Sequence, residues 1–140
     1  MKKELKIINE VYFWKERLKV PYFVLDIDNR TAFTAYVAQF NKTVCLTLNI
    51  KALLKCPPLI VLAVIFHEFG HIIKKTYRSN FKGTEIQSEI LAETYGLSTL
   101  KKYCSKEDYN HYYNTMQKSI KMKVWNKHPE HKKAFEKIYK

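Results

Sequence analysis

The chain is poor in the residues that build loops and crosslinks. Three glycines and four prolines in 140 residues leave little for flexible linkers, and no internal repeat is visible. Its three cysteines, Cys45, Cys56 and Cys104, are odd in number and form no CxxC pair. That argues against a disulfide framework or a zinc ribbon and for reduced intracellular thiols. Arginine is nearly absent, with three residues against 22 lysines. Sequence-specific nucleic-acid readers rely on arginine forks, so specific nucleic-acid binding is not expected despite a net charge of +12. The start, Met1-Lys2-Lys3-Glu4-Leu5, lacks the apolar stretch of a secretory signal. The longest apolar run, Pro57 to Phe66, is too short to span a bilayer. These absences predict one compact cytoplasmic domain over residues 1–140 with no membrane span. Nothing in the chain marks an oligomeric state.

The charge is unevenly placed. Residues 118–140 hold eight basic and two acidic groups, half of the net excess in the last 23 positions. Such a tail is an electrostatically separate element, able to touch an acidic protein, a membrane face or nucleic acid.

Against this background His67-Glu68-Phe69-Gly70-His71 stands out. Residues four apart on a helix lie on one face, so both imidazoles can point at one metal ion. Glu68 lies about 100° around the helix, close enough to reach a metal-bound water without joining the ligands. Zinc lowers the pKa of such a water, and Glu68 would take its proton as general base. A chance match is the bland alternative. The setting weighs against it: Ile60 to Ile73 is otherwise apolar, and a buried His-Glu-His set without a metal carries a desolvation cost.

A catalytic zinc needs a third protein ligand and an open position. The pattern HExxHxxGxxH is excluded, because Lys74 and Tyr77 stand at its Gly and His positions. The next helical stretch offers Glu85, Glu89 and Glu93 at i, i+4 and i+8, a carboxylate stripe on one face. Glu85 has an ordinary role in the first turn, since Thr84 and Gln87 form a capping-box pattern. Glu89 and Glu93 lie among Ile90, Leu91, Ala92, Tyr95 and Leu97, with no such role.

Glu89-Ile90-Leu91-Ala92-Glu93-Thr94-Tyr95-Gly96 resembles the E-x-x-A-D-x-x-A motif on the "glutamate helix" of the gluzincin metallopeptidases. It has Glu for Asp and Gly for the last small residue. The likeness covers about Val20 to Tyr103 and is greatest to the minigluzincins, with ImmA/IrrE-type and HtpX-type peptidases as wider relatives. The resemblance implies one catalytic Zn²⁺ held by His67, His71 and Glu89. It also implies that Glu93 accepts a hydrogen bond from a ligating histidine and fixes its tautomer.

Along the chain, Glu4 to Lys19 has a helical period. Pro21 to Asp28, Thr31 to Phe40 and Thr43 to Leu48 read as three strands of a small antiparallel sheet. A short helical turn from Asn49 leads to Pro57 and Pro58, which suit the start of the metal helix, expected to run to about Tyr77. Thr84 to Tyr103 is the glutamate helix, Glu107 to about Trp125 another, and Pro129 starts a short terminal one. The fold class is thus α+β: a three-stranded sheet packed on the two metal helices, with extra N- and C-terminal helices. By the gluzincin likeness, the strand Thr43-Val44-Cys45-Leu46-Thr47-Leu48 would border the cleft and hold an extended substrate by edge pairing. Gly70 and Gly96 would let the metal helices approach closely.

The expected function is a zinc endopeptidase acting on peptides or unfolded protein. Its C-terminal tail (residues 118–140) could fold back over the cleft and hold it latent, as in a zymogen. The alternative is a non-catalytic zinc module whose basic surface recruits an acidic partner or nucleic acid. Oxyanion donors are sought among His111, His128, His131, Tyr77, Tyr103, Tyr109, Tyr112 and Tyr113, none of which sits in a motif, and His128 and His131 read as solvated.

Overall fold

A computed structural model describes residues 2–140. The element order is α1 (Lys2–Leu18), β1 (Val24–Ile27), β2 (Ala35–Phe40), β3 (Thr43–Leu48), α2 (Ile50–Leu53), α3 (Pro58–Ile73), α4 (Glu85–Tyr103), α5 (Lys106–Ser119), a 3₁₀ turn (Lys123–Lys127) and α6 (Pro129–Ile138). The α+β class, the sheet of three strands and the packing of α3 against α4 all match the sequence reading.

The sheet itself departs from expectation. Its order is β1-β3-β2, with β1 parallel to β3 and β2 antiparallel to it, so it is mixed rather than antiparallel. The turn-forming residues after β1 do not close a hairpin. Asp28 accepts from the Arg30 N–H at 3.0 Å, while Asn49 Nδ2 donates to the Thr31 carbonyl at 3.1 Å and Asn29 Oδ1 accepts from the Lys51 N–H at 3.2 Å. These bonds lead the chain around the end of β3 to its far side. The β2–β3 connection is a true two-residue hairpin, with Asn41 (φ 48°) and Lys42 (φ 70°) both left-handed, the conformation that matches strand twist.

This topology corrects one expectation directly. β3, Thr43–Leu48, is the central strand, paired on both sides from Cys45 to Leu48, and has no free edge to offer along that stretch. The strand on the α3 side is β2.

Helix α3 begins with Pro58 in the first turn, where no N–H is needed, and is apolar almost throughout. Its inner face buries Ile65, Phe66, Phe69 and Ile72; Trp14 of α1 meets Phe66 edge-on at 5.0 Å. The helix stops at Ile73, four residues short of Tyr77. Lys75 takes a left-handed φ of 57°, the Thr76 N–H donates to the His71 carbonyl (3.1 Å) and the Lys75 N–H to that of Ile72 (3.3 Å). This is a Schellman stop built on a lysine instead of the usual glycine. Helix α4 starts on the predicted capping box, with Thr84 and Gln87 bonded both ways. Helix α5 ends at Ser119, before Trp125, and the chain passes through the 3₁₀ turn into α6, which lies against α4.

The two metal helices touch through their glycines. A Cβ on Gly70 would lie 2.6 Å from the Ala92 carbonyl oxygen, and one on Gly96 would lie 3.1 Å from the His67 nitrogen. Among the described residues, no helix is long and apolar enough to cross a membrane.

Candidate metal centre

The close approach of α3 and α4 decides where the polar side chains meet. His67 and His71 project from one face of α3 onto Glu89 of α4, and ligand atoms of the three lie within 4.8 Å of one another. His67 Nε2 is 3.0 Å from Glu89 Oε2, and His71 Nε2 is 3.2 Å from Glu89 Oε1. Two imidazoles and one carboxylate are a donor set suited to a transition metal such as zinc, so the residues present can hold a metal ion. Glu68 is buried beside them, its Oε2 4.0 Å from His67 Nε2. Glu85 starts α4 away from this cluster, as its place in the capping box implies.

The rear nitrogens of both histidines are held. His67 Nδ1 donates to Glu93 Oε1 at 2.8 Å. Glu93 is 2 % exposed and no cation pairs with it; its other oxygen accepts from the hydroxyls of Tyr112 (2.8 Å) and Tyr139. His71 Nδ1 faces the hydroxyls of Thr76 at 2.6 Å and Ser88 at 3.3 Å. Thr76 is there because the Schellman stop turns the chain back toward His71, and Ser88 because it precedes Glu89 on α4.

Charges in the cluster follow from these contacts. Burial opposes a charge on His67, but hydrogen bonds to Glu89 and Glu93 outweigh it and hold its pKa well above 6.5. Burial pushes Glu89 up, yet His131, His67 and His71 together hold it far below the usual carboxylate range. Burial raises the Glu68 pKa, with His67 and His71 offsetting only part of the effect. Burial also raises Tyr112 and Tyr139, with Glu93 adding to it, so both stay protonated as donors.

Three contributors carry no sequence motif. His131, read as solvated, comes from the first turn of α6 and places Nε2 3.1 Å from Glu89 Oε2. His128 sits beside it, and Phe33 packs on both rings at 5.2 and 6.0 Å. Tyr139 reaches Glu93 from the end of the chain, 46 residues away in sequence. Of the oxyanion-donor candidates, Tyr77, His128 and His131 line the cleft. Tyr112 is spent on Glu93, Tyr103 packs on Trp14, and Tyr109 and Tyr113 pack on each other.

The cluster opens to a cavity of about 500 Å³ walled by Glu68, His71, Glu89 and β2 residues Ala35, Tyr36 and Val37. A second, more apolar cavity of about 590 Å³ lies on the other side, against His67 and Glu68. Cys45, Cys56 and Cys104 are free thiols and take no part. No family model, curated protein or solved structure matches the chain.

Proposed function

We propose that this protein is a zinc-dependent endopeptidase of the gluzincin kind, acting on peptides or unfolded protein within a single domain. The observation that carries this reading is the convergence of His67, His71 and Glu89 with buried Glu68 alongside. Zinc, when bound to such a set, polarises a scissile carbonyl and lowers the pKa of water toward neutrality. Glu68 takes the proton of the attacking water and passes it to the leaving amine; its burial-raised pKa suits a group that must do both. Glu93 orients His67 and fixes its tautomer, and Thr76 and Ser88 do the same for His71. The cleft-side edge for an extended substrate is β2, which walls the cavity beside Glu68 and Glu89. The tail covers this cleft through α6, so the folded chain is latent.

The test is Glu68→Ala. The variant should keep zinc and lose all hydrolysis of varied peptides that wild type, or wild type relieved of its tail contact, can cleave. Retained hydrolysis would remove Glu68 from the mechanism. A second reading has one observation in its favour, the His131 ring on Glu89: a closed zinc centre in a non-catalytic module, whose lysine-rich surface recruits an acidic partner or nucleic acid. Zinc-loaded wild type, Glu68→Ala and His131→Ala that are all equally inert would favour that reading.

A further inference from the structure

We propose that His131 is a fourth, displaceable protein ligand of the metal bound by His67, His71 and Glu89. This rests on the metal reading above and adds to it the residue that fills the remaining corner.

The carboxylate of Glu89 is the shared point. Its Oε2 meets His67 Nε2 at 3.0 Å and His131 Nε2 at 3.1 Å, and its Oε1 meets His71 Nε2 at 3.2 Å. Three imidazole nitrogens thus surround one carboxylate, from two helices and from α6. The three-residue set alone is the donor count of a catalytic centre with one open position; adding His131 gives the closed count of four.

The placement of His131 also explains why the cleft is divided. The cavities of about 500 and 590 Å³ share His131, His128, Phe33 and Glu68 in their walls. His131 therefore stands where the two halves of a continuous cleft would join, next to the general base. A ligand at that corner occupies the position from which a water held against Glu68 would attack.

The contact is of a kind that can open. Further along α6, Ala134, Phe135 and Tyr139 are buried in the core, while the His131 side chain is only part-buried. Rotating one half-exposed ring out of the first turn of α6 opens the corner without undocking the helix. The anchor and the latch are separate residues on one element.

Full-length protein loaded with Co²⁺ tests this, because the visible spectrum of the ion reports its coordination. The expected wild-type spectrum is that of a four-coordinate centre and does not change when azide is added. His131→Ala and His131→Phe should bind Co²⁺ at least ~10-fold more weakly, since even a group that only orients a ligand is worth about 10–100-fold. Both variants should acquire an azide-dependent spectral change. The Phe variant keeps a ring against Phe33 and Phe135 and so preserves packing while removing the nitrogen. An azide response in wild type overturns the proposal by itself, as does unchanged affinity in both variants. If wild type fails to bind one Co²⁺ per chain, the metal reading beneath it fails as well, a distinct result.

Discussion

At the residue scale, the second-layer groups are as determined as the ligands. Glu93 is a buried carboxylate held by one imidazole and two tyrosine hydroxyls, with no cation to offset its charge. Removing that charge alters the basicity and aim of His67. Glu93→Gln should therefore lower zinc affinity by about 10–100-fold, measured by chelator competition; unchanged affinity would mean that His67 does not need it. The chelated protein has its own pH signature. His67 has a folded pKa above 6.5, so its stabilising contribution is complete below pH 6.5 and is lost as pH rises through the folded value. Glu89 has a folded pKa below 4.5, so its contribution is complete above pH 4.5 and is lost as pH falls through the depressed value. The melting temperature of chelated protein should peak between pH 4.5 and 6.5 and fall on the alkaline side. Zinc-loaded protein should gain stability on that same side, because metal binding needs the imidazoles deprotonated. A chelated protein most stable above pH 8 would contradict the assignment of charges.

At the element scale, the centre depends on how α3 ends and how closely it meets α4. Gly70→Ala would drive a methyl group into the Ala92 backbone, which cannot yield as a flexible side chain would. The expected cost is about 1–3 kcal/mol of stability, with weakened zinc binding because α4 carries Glu89. A variant with wild-type stability and affinity would show that the helices can part freely. Lys75 is the opposite case, a lysine in a left-handed conformation that glycine adopts without strain. Lys75→Gly should stabilise the protein by up to about 1 kcal/mol in denaturant titration, a gain that leaves the Thr76 contact to His71 intact. Both elements were legible in outline: HEFGH fixed the helical face, and Thr84 with Gln87 fixed the start of α4. The early stop of α3 was hidden because it rests on a lysine where a glycine signal would be sought.

At the scale of the whole molecule, α6 is part of the core as well as a cover. Ala134, Phe135 and Tyr139 are buried, and Tyr139 supplies one of the donors to Glu93. Truncation near Met122 should therefore abolish the cooperative melt, since loss of one buried Phe alone costs about 3–5 kcal/mol. A truncated chain that melts like the full one would show α6 to be dispensable. This is the part the sequence kept to itself. His67, His71, Glu68 and Glu89 are read from helical spacing and a local motif, both short-range. His131, Tyr112 and Tyr139 reach the centre only through tertiary packing, and nothing within a few residues of them signals it. The sheet order was hidden for the same reason: Asn29 and Asn49, far apart in sequence, route the chain around β3. The central claim is that side chains from α3 and α4 hold one metal ion. Zinc content per chain, measured on wild type, Glu85→Ala and Glu89→Ala after dialysis against the metal, tests it most directly. One zinc in wild type and Glu85→Ala, with none retained by Glu89→Ala, is the predicted result. Glu89→Ala holding zinc as firmly as wild type, or wild type holding none, would contradict it.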